Sequence, residues 1–346
     1  MTERQAGAIS RRDLIAGAGA IALTAVFEPR AAGAERVLSG GTTSDASAVT
    51  SSTRGRATVG VCREPGVLDS KGRVRPEAAK ALVERAVVAA TGAEDAVAAC
   101  RSLFKPGDVV GLKVNCLAGR GLSTHRELVD AVTALLVAAG VSAERVVIWE
   151  RSDRDLRRAG YTPRRAGAGP LVMGTNDDYD NEPIEAGSVG GCLSRILSRR
   201  LDAVINMPVL KDHDLAGISG ALKSFYGAIH NPNKYHDNGC SPYIADLYAH
   251  PGIRDKVRLT IVDALTAQYH GGPAWVAENT WTYGGVIASR DPVAVDATAL
   301  EILAAKRQAL GLPSFDAEKR APSWLPHAAA LGLGVADLTR IDRVTL

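Results

Sequence analysis

The sequence predicts an α/β protein with a mostly parallel sheet and helices on both faces, either as one unit or as two βαβ-type lobes with the site between them. Mostly apolar runs, such as 203–207 and 257–265, are typical of strands covered on both faces. A strand, a long loop, a helix, a glycine and a second strand over 109–150 predict a right-handed βαβ unit. The chain of 346 residues is long enough for one large α/β domain or two small ones.

Residues 1–34 are predicted to be an export signal and to lie outside the fold. Ser10-Arg11-Arg12-Asp13-Leu14-Ile15 is a twin-arginine pattern, and the uncharged stretch 14–27 is too short for a membrane span. We expect cleavage after Ala34, a periplasmic or extracytoplasmic protein, and the twin-arginine translocase as a partner during export. A cytosolic protein with a disordered N-terminus is the alternative. Residues 35–56 predict a flexible linker, and 57–346 the α/β domain.

Composition and charge exclude some functions. The formal charge of +3 becomes +2 without residues 1–34, and no basic run has interleaved aromatics, so nucleic-acid binding is not expected. The five cysteines are scattered without a C-x-x-C pair, so we expect no iron–sulfur cluster or zinc knuckle from this chain's own thiols. Their odd number leaves at least one thiol free or intermolecular in an oxidising compartment, and one disulfide remains open.

The first half of the chain predicts the edge of the sheet where a ligand binds. Strands are predicted at 57–62, 109–117 and 145–150, and helices at 75–91, 93–104 and 125–139. Gly140 ends the last of these helices. Ligands of parallel sheets lie beyond the carboxyl ends of the strands. Polar residues expected near that edge are Asn115, Arg120, Thr124, His125, Glu150, Arg151 and Asp153.

The second half predicts further strands and helices around a polar loop. Residues 160–188 lack periodicity and predict an irregular insertion, and 231–239 predicts a loop that borders the site. Asp291 and Pro292 predict a helix start, with Asp291 as N-cap, and Asp296 is expected to be a buried structural acid. The other predicted elements are helices at 191–200, 243–249, 291–310 and 322–333, and strands at 203–207, 257–265, 284–289 and 341–346.

The stretch 206–230 is the strongest candidate for the site. Read as a helix, 217–230 places Ile218, Leu222, Phe225 and Ile229 on a core stripe. A second stripe holds Ser219, Lys223, Tyr226 and His230. A lysine on a mostly buried helix tends to have a lowered pKa, which suits a nucleophile, a Schiff-base former or an attachment point. The alternatives are a solvated Lys223 and a His213 that only binds backbone.

The region 57–313 resembles the family called domain of unknown function 362. The matching motifs are Lys113-Val-Asn, Thr124-His-Arg-Glu-Leu-Val, Asn206-Met-Pro-x-x-Lys-x-His, Gly217-Ile-Ser-Gly-Ala-Leu-Lys-Ser-Phe-Tyr-Gly227, Val262-Asp-Ala and Asp291-Pro-Val-Ala-Val-Asp296. The resemblance implies no activity. Many relatives carry an added ferredoxin-like iron–sulfur module, which the cysteines here do not provide, so a separate redox partner protein is one expectation.

The segment His213-Asp-Leu-Ala-Gly-Ile-Ser-Gly-Ala-Leu-Lys223 also resembles the nickel-pincer lactate racemases in spacing. The resemblance implies that His213 is an acid/base group and that Lys223 anchors a cofactor. Only His230 or His236 could stand in for the metal-ligand histidine of those enzymes. Their other catalytic histidine has no counterpart after Trp149, where this chain has Glu-Arg-Ser-Asp. We therefore expect a shared fold and site location without a shared reaction.

Three functions are consistent with these patterns. The first is an enzyme that acts on a small anion, such as a hydroxy- or oxo-carboxylate, by proton or hydride transfer. In it His213 and Lys223 are catalytic, Lys223 and Tyr226 hold any cofactor, His230 and His236 hold any metal, and the ligand binds Lys113, Asn115, Arg120, Thr124, Lys211 and Ser219. The second is a metal- or anion-binding protein without turnover, and the third is an accessory protein for an iron–sulfur partner.

Overall fold

A computed structural model describes residues 55–346 of the chain. The predicted export signal and nearly all of the predicted linker lie outside the described residues. The first strand begins at Ala57, where the sequence places the start of the ordered domain. No helix among residues 55–346 is long and apolar enough to cross a membrane.

Twelve strands are present in the described part of the chain, ten of them in one sheet. Their bounds are β1 Ala57–Arg63, β2 Val110–Val114, β3 Val146–Glu150, β4 Leu171–Gly174, β5 Ile184–Ala186, β6 Val189–Gly191, β7 Ala203–Met207, β8 Val209–His213, β9 Gly217–Ile218, β10 Val257–Gln268, β11 Thr280–Ser289 and β12 Ile341–Thr345. The short strands β5 and β6 form a separate hairpin.

Helices cover both faces of this sheet, as the sequence predicts. Their bounds are α1 Pro76–Thr91, α2 Ala96–Leu103, α3 Arg126–Ala138, α4 Asp153–Arg158, α5 Tyr243–Ala249, α6 Pro251–Arg254, α7 Pro292–Ala309 and α8 Trp324–Ala330. Helices α1 to α3 pack with Ile205 of β7 in one core, and α5, α7 and α8 pack with its neighbour Val204 in the other. Successive residues of β7 therefore point into opposite cores.

The strand order is β12-β1-β11-β10-β7-β2-β3-β4, and the pairings from β10 to β4 are all parallel. The long strand β11 is antiparallel to both β1 and β10, so the sheet is mixed and mostly parallel. The predicted βαβ unit is formed by β2, α3 and β3, with Leu112 opposite Ile148. Gly140 adopts φ 105° just after α3, a conformation that glycine tolerates and that stops the helix.

Two expectations for the middle of the chain are wrong. The segment 160–188 is not wholly irregular, because β4 extends the main sheet beside β3. The sequence does not reveal β4 because this strand has only four residues and lies between Pro170 and the polar segment 175–178. The predicted helix 191–200 is a single π-helical turn, Ile196–Arg200, preceded by the hairpin strand β6. The apolar spacing there reflects core packing without a regular helix.

The predicted helix 217–230 is also wrong. The chain forms β8, turns into the two-residue strand β9, and then makes a 3₁₀-helical segment, Lys223–Ala228. Gly217 and Gly220 adopt φ 78° and 57°, which a continuous right-handed helix cannot contain. Strand β10 runs to Gln268, beyond its predicted end, and β8 pairs with this extension. The two side-chain stripes of the predicted helix therefore do not exist, although Lys223 and Tyr226 are both buried.

The five cysteines are all free in the structure. Cys62, Cys100, Cys116 and Cys240 are buried, and Cys192 is half-buried. The disulfide that the sequence left open is not formed among them.

Candidate functional site

Strand β8 carries the first charged residue of the site, Lys211. Its side chain is almost completely buried. The Nζ atom donates to Asn115 Oδ1 and to the Pro273 carbonyl, both at 3.2 Å. Burial lowers the pKa of Lys211 to about 8, because desolvation disfavours the charged amine. Asn115 lies directly after β2 and Pro273 after β10, so three carboxyl strand ends meet at this amine.

The second buried amine belongs to Lys223, at the start of the 3₁₀-helical segment. Its Nζ atom lies 3.2 Å from His236 Nε2 and 4.2 Å from the centre of the Tyr226 ring. Burial lowers the pKa of this lysine to about 8 as well. Both lysines therefore carry their charge at neutral pH at an energetic cost.

A buried carboxylate in α7 positions the backbone just before Lys223. Asp296 accepts hydrogen bonds from the backbone N–H groups of Ala221 and Leu222, the second at 3.0 Å. A Cβ atom on Gly220 would lie 2.8 Å from this carboxylate, so only glycine fits there. The structural role predicted for Asp296 is thus a specific one: it fixes the turn that presents Lys223.

His213 is the last residue of β8, two positions after Lys211. Its Nδ1 atom lies 3.2 Å and 3.3 Å from the backbone nitrogens of Leu215 and Ala216, which can only donate. Burial, with the fields of Lys223, His236 and Lys211, lowers the pKa of His213 to about 2. The ring is therefore neutral, and since Nδ1 accepts from backbone, its proton resides on Nε2. The Asp214 carboxylate also lies 3.0 Å from Nδ1, but its side chain is 63% exposed and its field is weakened by solvent.

Behind His213, a buried ion pair fixes the end of β8. Arg320 donates to Asp212 Oδ2 at 3.0 Å and to the His213 carbonyl at 3.2 Å. The other Asp212 oxygen accepts from the Gly272 backbone at 2.8 Å. These contacts hold the strand end that carries His213 against the loop after β10.

The loop 231–239 borders the site and contributes His236. Its Nδ1 atom lies 3.1 Å from the Pro232 carbonyl, which can only accept, so Nδ1 carries the proton and Nε2 accepts from Lys223. Burial and the charge of Lys223 lower the pKa of His236. The His236 ring stacks on that of His213 with centroids 5.7 Å apart. The two lysines and two neutral imidazoles form one cluster, which we call the Lys/His site.

The remaining predicted site residues have different placements. Lys113 is buried and paired with Glu150 at 3.3 Å. The Thr124 hydroxyl bonds the Asn115 and Met207 backbone. The Tyr226 ring lies under the Lys223 amine, and its hydroxyl donates to the Tyr235 carbonyl. Among residues 55–346, three further predicted residues form no hydrogen bond with either amine of the Lys/His site. They are Arg120, exposed at the surface; Ser219, bonded to the Asp212 carbonyl; and His230, exposed and packed edge-on against Tyr179.

The structure does not bring the two predicted metal ligands together. His230 packs on Tyr179, whereas His236 faces His213. Within 55–346, no group of three or more His, Cys, Asp and Glu side chains is arranged to hold a metal ion. His236 instead stacks on His213, with ring centroids 5.7 Å apart.

Comparison with known proteins places this site within a family. The family described as Domain of unknown function (DUF362) matches residues 110–301, more than half of the chain. The chain belongs to the DUF362 family. The matched region contains every member of the Lys/His site. No curated protein matches the sequence.

A distant likeness to a solved structure accompanies the family match. It is a crystal structure of a Thermotoga maritima protein, solved as a target of the Northeast Structural Genomics Consortium. The identity is 11%, the TM-score is 0.40, and the match covers 66% of this chain and 59% of the other. This chain therefore spans less than two thirds of that protein.

Two DUF362 motif residues meet at the same edge of the sheet. His125 Nδ1 lies 2.7 Å from Asp263 Oδ2, although the residues are 138 positions apart. The sequence placed His125 at this edge but could not distinguish a helix cap from a functional group. The signal that was missed is that both residues fall in separate DUF362 motifs, His125 just before α3 and Asp263 within β10.

Trp275 forms an exposed rim beside the Lys/His site, and sequence reasoning missed it too. Half of its side chain is exposed, yet its loop is held firmly. The buried Gln268 donates to the Ala274 carbonyl and accepts from the Val276 backbone, both at 2.8 Å. The indole ring lies over Gly121, where a Cβ atom would come within 2.1 Å of it.

Two clefts lie elsewhere on the DUF362 fold. One of about 240 Å³ lies beside Tyr161, and one of about 850 Å³ lies beyond β4. The larger cleft is lined by several arginines, but Arg165 and Arg195 are neutralised by Asp153 and Asp178. Among residues 55–346, the buried lysines that lack a salt bridge are Lys211 and Lys223, both in the Lys/His site.

Proposed function

We propose that this protein binds a small anion of carboxylate type at Lys211, Lys223 and His213, and acts on it by proton or hydride transfer. The observation that carries the proposal is a pair of buried amines without a carboxylate partner. Neither Lys211 nor Lys223 forms a salt bridge within residues 55–346, although both are nearly inaccessible to solvent.

The charge balance supports an anionic ligand. Burying a charge costs several kcal/mol unless it is paired, and proteins usually pair it. Both lysines have pKa values lowered to about 8, so most molecules carry two buried positive charges at pH 7. A bound anion would offset this cost and raise both pKa values.

The available donors suit a small, oxygen-rich ligand. Asn115 Oδ1 is occupied by Lys211, which leaves the Asn115 amide NH₂ as a donor. Neutral His213 offers Nε2–H, and the two ammonium groups supply charge. A carboxylate accepts up to about four hydrogen bonds and matches this set of donors.

Binding can be tested directly on the purified protein. We expect acetate, lactate, pyruvate or malate to raise the melting temperature at pH 7 and to bind in calorimetry. Lys211→Met and Lys223→Met should each remove binding, because one positive charge is lost. Lys80→Met, which removes an exposed lysine of α1, is the matched control and should bind as the wild type does. A wild-type protein that binds none of the four carboxylates would contradict the proposal.

A role for Lys223 beyond charge needs a separate measurement. With a pKa of about 8, part of the Lys223 population is a free amine at neutral pH, which suits a base, a nucleophile or an anchor for a cofactor. Intact mass of the purified protein reveals a covalent adduct, and elemental analysis reveals a metal. If the protein is unmodified and metal-free, and Lys223→Ala binds the carboxylates unchanged, the anchor role is wrong.

A second candidate is an anion-binding protein without turnover. It is favoured by the backbone contacts of His213 Nδ1, which make Nε2 a donor and not a base. Incubation of lactate, pyruvate and malate with the protein in D₂O distinguishes the two candidates. Exchange of carbon-bound hydrogen, seen by proton NMR and lost in Lys223→Met, indicates proton transfer. Binding without exchange or any new product favours the second candidate.

Export before function is a further part of the proposal. It is supported by the twin-arginine pattern and the short uncharged stretch that follows it. The test is fractionation of cells that express the full chain, with N-terminal sequencing of the product. We expect a processed, extracytoplasmic protein that begins at Glu35, and an unprocessed cytoplasmic one when Arg11 and Arg12 are both changed to Lys. Wild-type protein that stays unprocessed in the cytoplasm would overturn the export proposal.

A further inference from the structure

The Asp263 carboxylate contacts both the backbone and the ring of His125. Its side chain is fully buried in β10. Oδ2 accepts from the His125 backbone at 2.6 Å and contacts His125 Nδ1 at 2.7 Å, while Oδ1 accepts from the Leu265 backbone at 3.0 Å. Because a carboxylate accepts hydrogen bonds, the His125 proton on this side is on Nδ1. The contact therefore fixes both the orientation and the tautomer of the ring.

The other side of the His125 ring is available to a ligand. A quarter of the side chain is exposed. Within residues 55–346, Nε2 has no hydrogen-bond partner. A helix cap would direct a ring nitrogen to the first turn of α3, but the side chain makes no capping bond there. The capping role considered from the sequence is therefore not the one the ring performs.

His125 also lies beside the Lys/His site. The preceding residue, Thr124, accepts from the Asn115 backbone at 2.9 Å and donates to Met207 at the end of β7. The Asn115 side chain in turn accepts from Lys211. Asp263 is opposite Val209 of β8, two residues before Lys211. The His125 ring and the Lys211 amine thus belong to the same edge, joined through two residues.

We propose that His125, oriented by Asp263, completes the anion site: as a doubly protonated imidazolium it donates a hydrogen bond from Nε2 to the oxygen on C2 of a 2-oxocarboxylate. The carboxylate of the same molecule is held by Lys211 and Lys223. The inference rests on the proposed function and narrows its ligand from any small carboxylate to those with an oxygen on C2. In this arrangement His125 determines specificity, and Asp263 is a positioning residue.

The pKa values of the two histidines at this edge, His125 and His213, are shifted in opposite directions. Burial acts to lower the pKa of His125, but the charge and hydrogen bond of Asp263, with the field of Glu127, raise it overall. The pKa of His213 is lowered to about 2 by burial and the neighbouring cations. His125 can therefore carry a positive charge beside the ligand, whereas His213 donates only as a neutral imidazole.

The experiment compares pyruvate with propionate, which lacks the C2 oxygen. Calorimetry on the full mature protein at pH 6 should show pyruvate bound about tenfold more tightly, the usual effect of one hydrogen bond to a charged group. The ratio of the two affinities should fall as pH rises through the pKa of His125. Using the ratio removes the titration of Lys211 and Lys223, which affects both ligands alike.

His125→Gln should reduce the preference for pyruvate to about twofold or less, with a ratio that no longer depends on pH. Asp263→Asn should lower the His125 pKa, measured by NMR of the imidazole protons, and weaken the preference. His327→Gln is the matched control, since His327 also pairs with an aspartate, Asp246, at 3.0 Å but outside the site. It should leave the ratio at its wild-type value.

The outcomes separate this inference from the proposed function. Equal affinity for pyruvate and propionate in the wild type, or a His125→Gln variant that keeps both the preference and its pH dependence, overturns the role of His125 alone. Loss of both ligands in Lys211→Met, with no change in His125→Gln, supports the anion site and rejects the inference. Failure of the wild type to bind either ligand rejects the proposed function itself.

Discussion

Three buried lysines lie along one edge of the sheet, in two different electrostatic settings. Lys113 donates to Glu150 at 3.3 Å and to the Val114 carbonyl at 2.7 Å, and its amine also lies 5.4 Å from the Trp149 ring. Lys211 and Lys223 contact only neutral partners: an amide, a carbonyl, an imidazole and an aromatic ring. The first amine is neutralised by the fold, and the other two are not.

This difference separates scaffold from site. A buried lysine with its own carboxylate has no need of a ligand, so Lys113, which the sequence placed among the ligand-binding residues, sits in a pair that is already complete. The backbone of Gly227 also packs closely on it, since a Cβ atom there would lie 3.1 Å from Nζ. The two other amines are nearly inaccessible to solvent, and the groups in contact with them are neutral. Mutations that remove the carboxylate of the pair, or one of the unpaired amines, test this distinction.

The largest expected effect comes from breaking the complete pair. Glu150→Gln leaves the Lys113 charge buried without a partner, so the free energy of unfolding should fall by about 3–5 kcal/mol in urea denaturation at pH 7. Adding Lys113→Met to this variant should recover most of the loss, because the unpaired charge is then removed. A loss below about 1 kcal/mol would mean that Lys113 is not dependent on Glu150.

Removing an unpaired amine should instead increase the free energy of unfolding. Lys223→Met keeps the length of the side chain and eliminates the cost of a buried charge, so the ligand-free protein should gain about 1–3 kcal/mol at pH 7. The same substitution should abolish carboxylate binding. Urea denaturation without carboxylate in the buffer measures the gain, with Lys80→Met as the control. A destabilised Lys223→Met protein would indicate that the amine contributes to the fold.

The gain in stability from Lys223→Met should become smaller as pH rises. The pKa of Lys223 is about 8 in the folded protein and about 10.4 in an unfolded chain. Between these values the unfolded chain binds more protons, so the stability of the wild type rises with pH relative to Lys223→Met. The difference between the two proteins should be largest below pH 8 and shrink by roughly 1–2 kcal/mol by pH 9.5. A difference that is constant from pH 7 to 9.5 would show that the Lys223 pKa is not lowered.

The smallest effect is expected from a change at Tyr226, whose ring lies beneath the Lys223 amine. Tyr226→Phe removes the hydroxyl that donates to the Tyr235 carbonyl at 2.7 Å, at a cost of about 0.5–1.5 kcal/mol in urea denaturation. The ring that faces Lys223 remains, so carboxylate affinity should change less than twofold. A large loss of affinity would assign the hydroxyl itself to the ligand.

Most of the sheet could be predicted because its strands carry a local signal. The runs at β7 and at the start of β10 are rich in apolar, β-branched residues, which is typical of strands buried on both faces. The helix α7 was predicted from Asp291, and the structure places the Asp291 carboxylate 2.9 Å from the Ala294 backbone as an N-cap. Such features depend on neighbours within a few positions.

The site could be located but not built from sequence, because its geometry depends on distant contacts. The apolar spacing over 217–230 predicted a helix, but Gly217 and Gly220 in this segment have positive φ values. The pairing of β8 with the end of β10 and the approach of Asp296 to Ala221 join segments more than 50 residues apart. The contact between His125 and Asp263 is of the same kind. No local pattern encodes these pairings.

The rim residue Trp275 provides an optical reporter of binding. Of the four tryptophans, Trp149 and Trp324 are completely buried, whereas half of Trp275 faces solvent beside the Lys/His site. Its loop is tied to Lys211 through the Pro273 carbonyl, so a carboxylate that draws the amine away changes the surroundings of the indole. Intrinsic fluorescence, with acrylamide quenching to isolate the exposed indoles and Trp275→Phe to identify the signal, can therefore follow ligand titrations without a dye or a label.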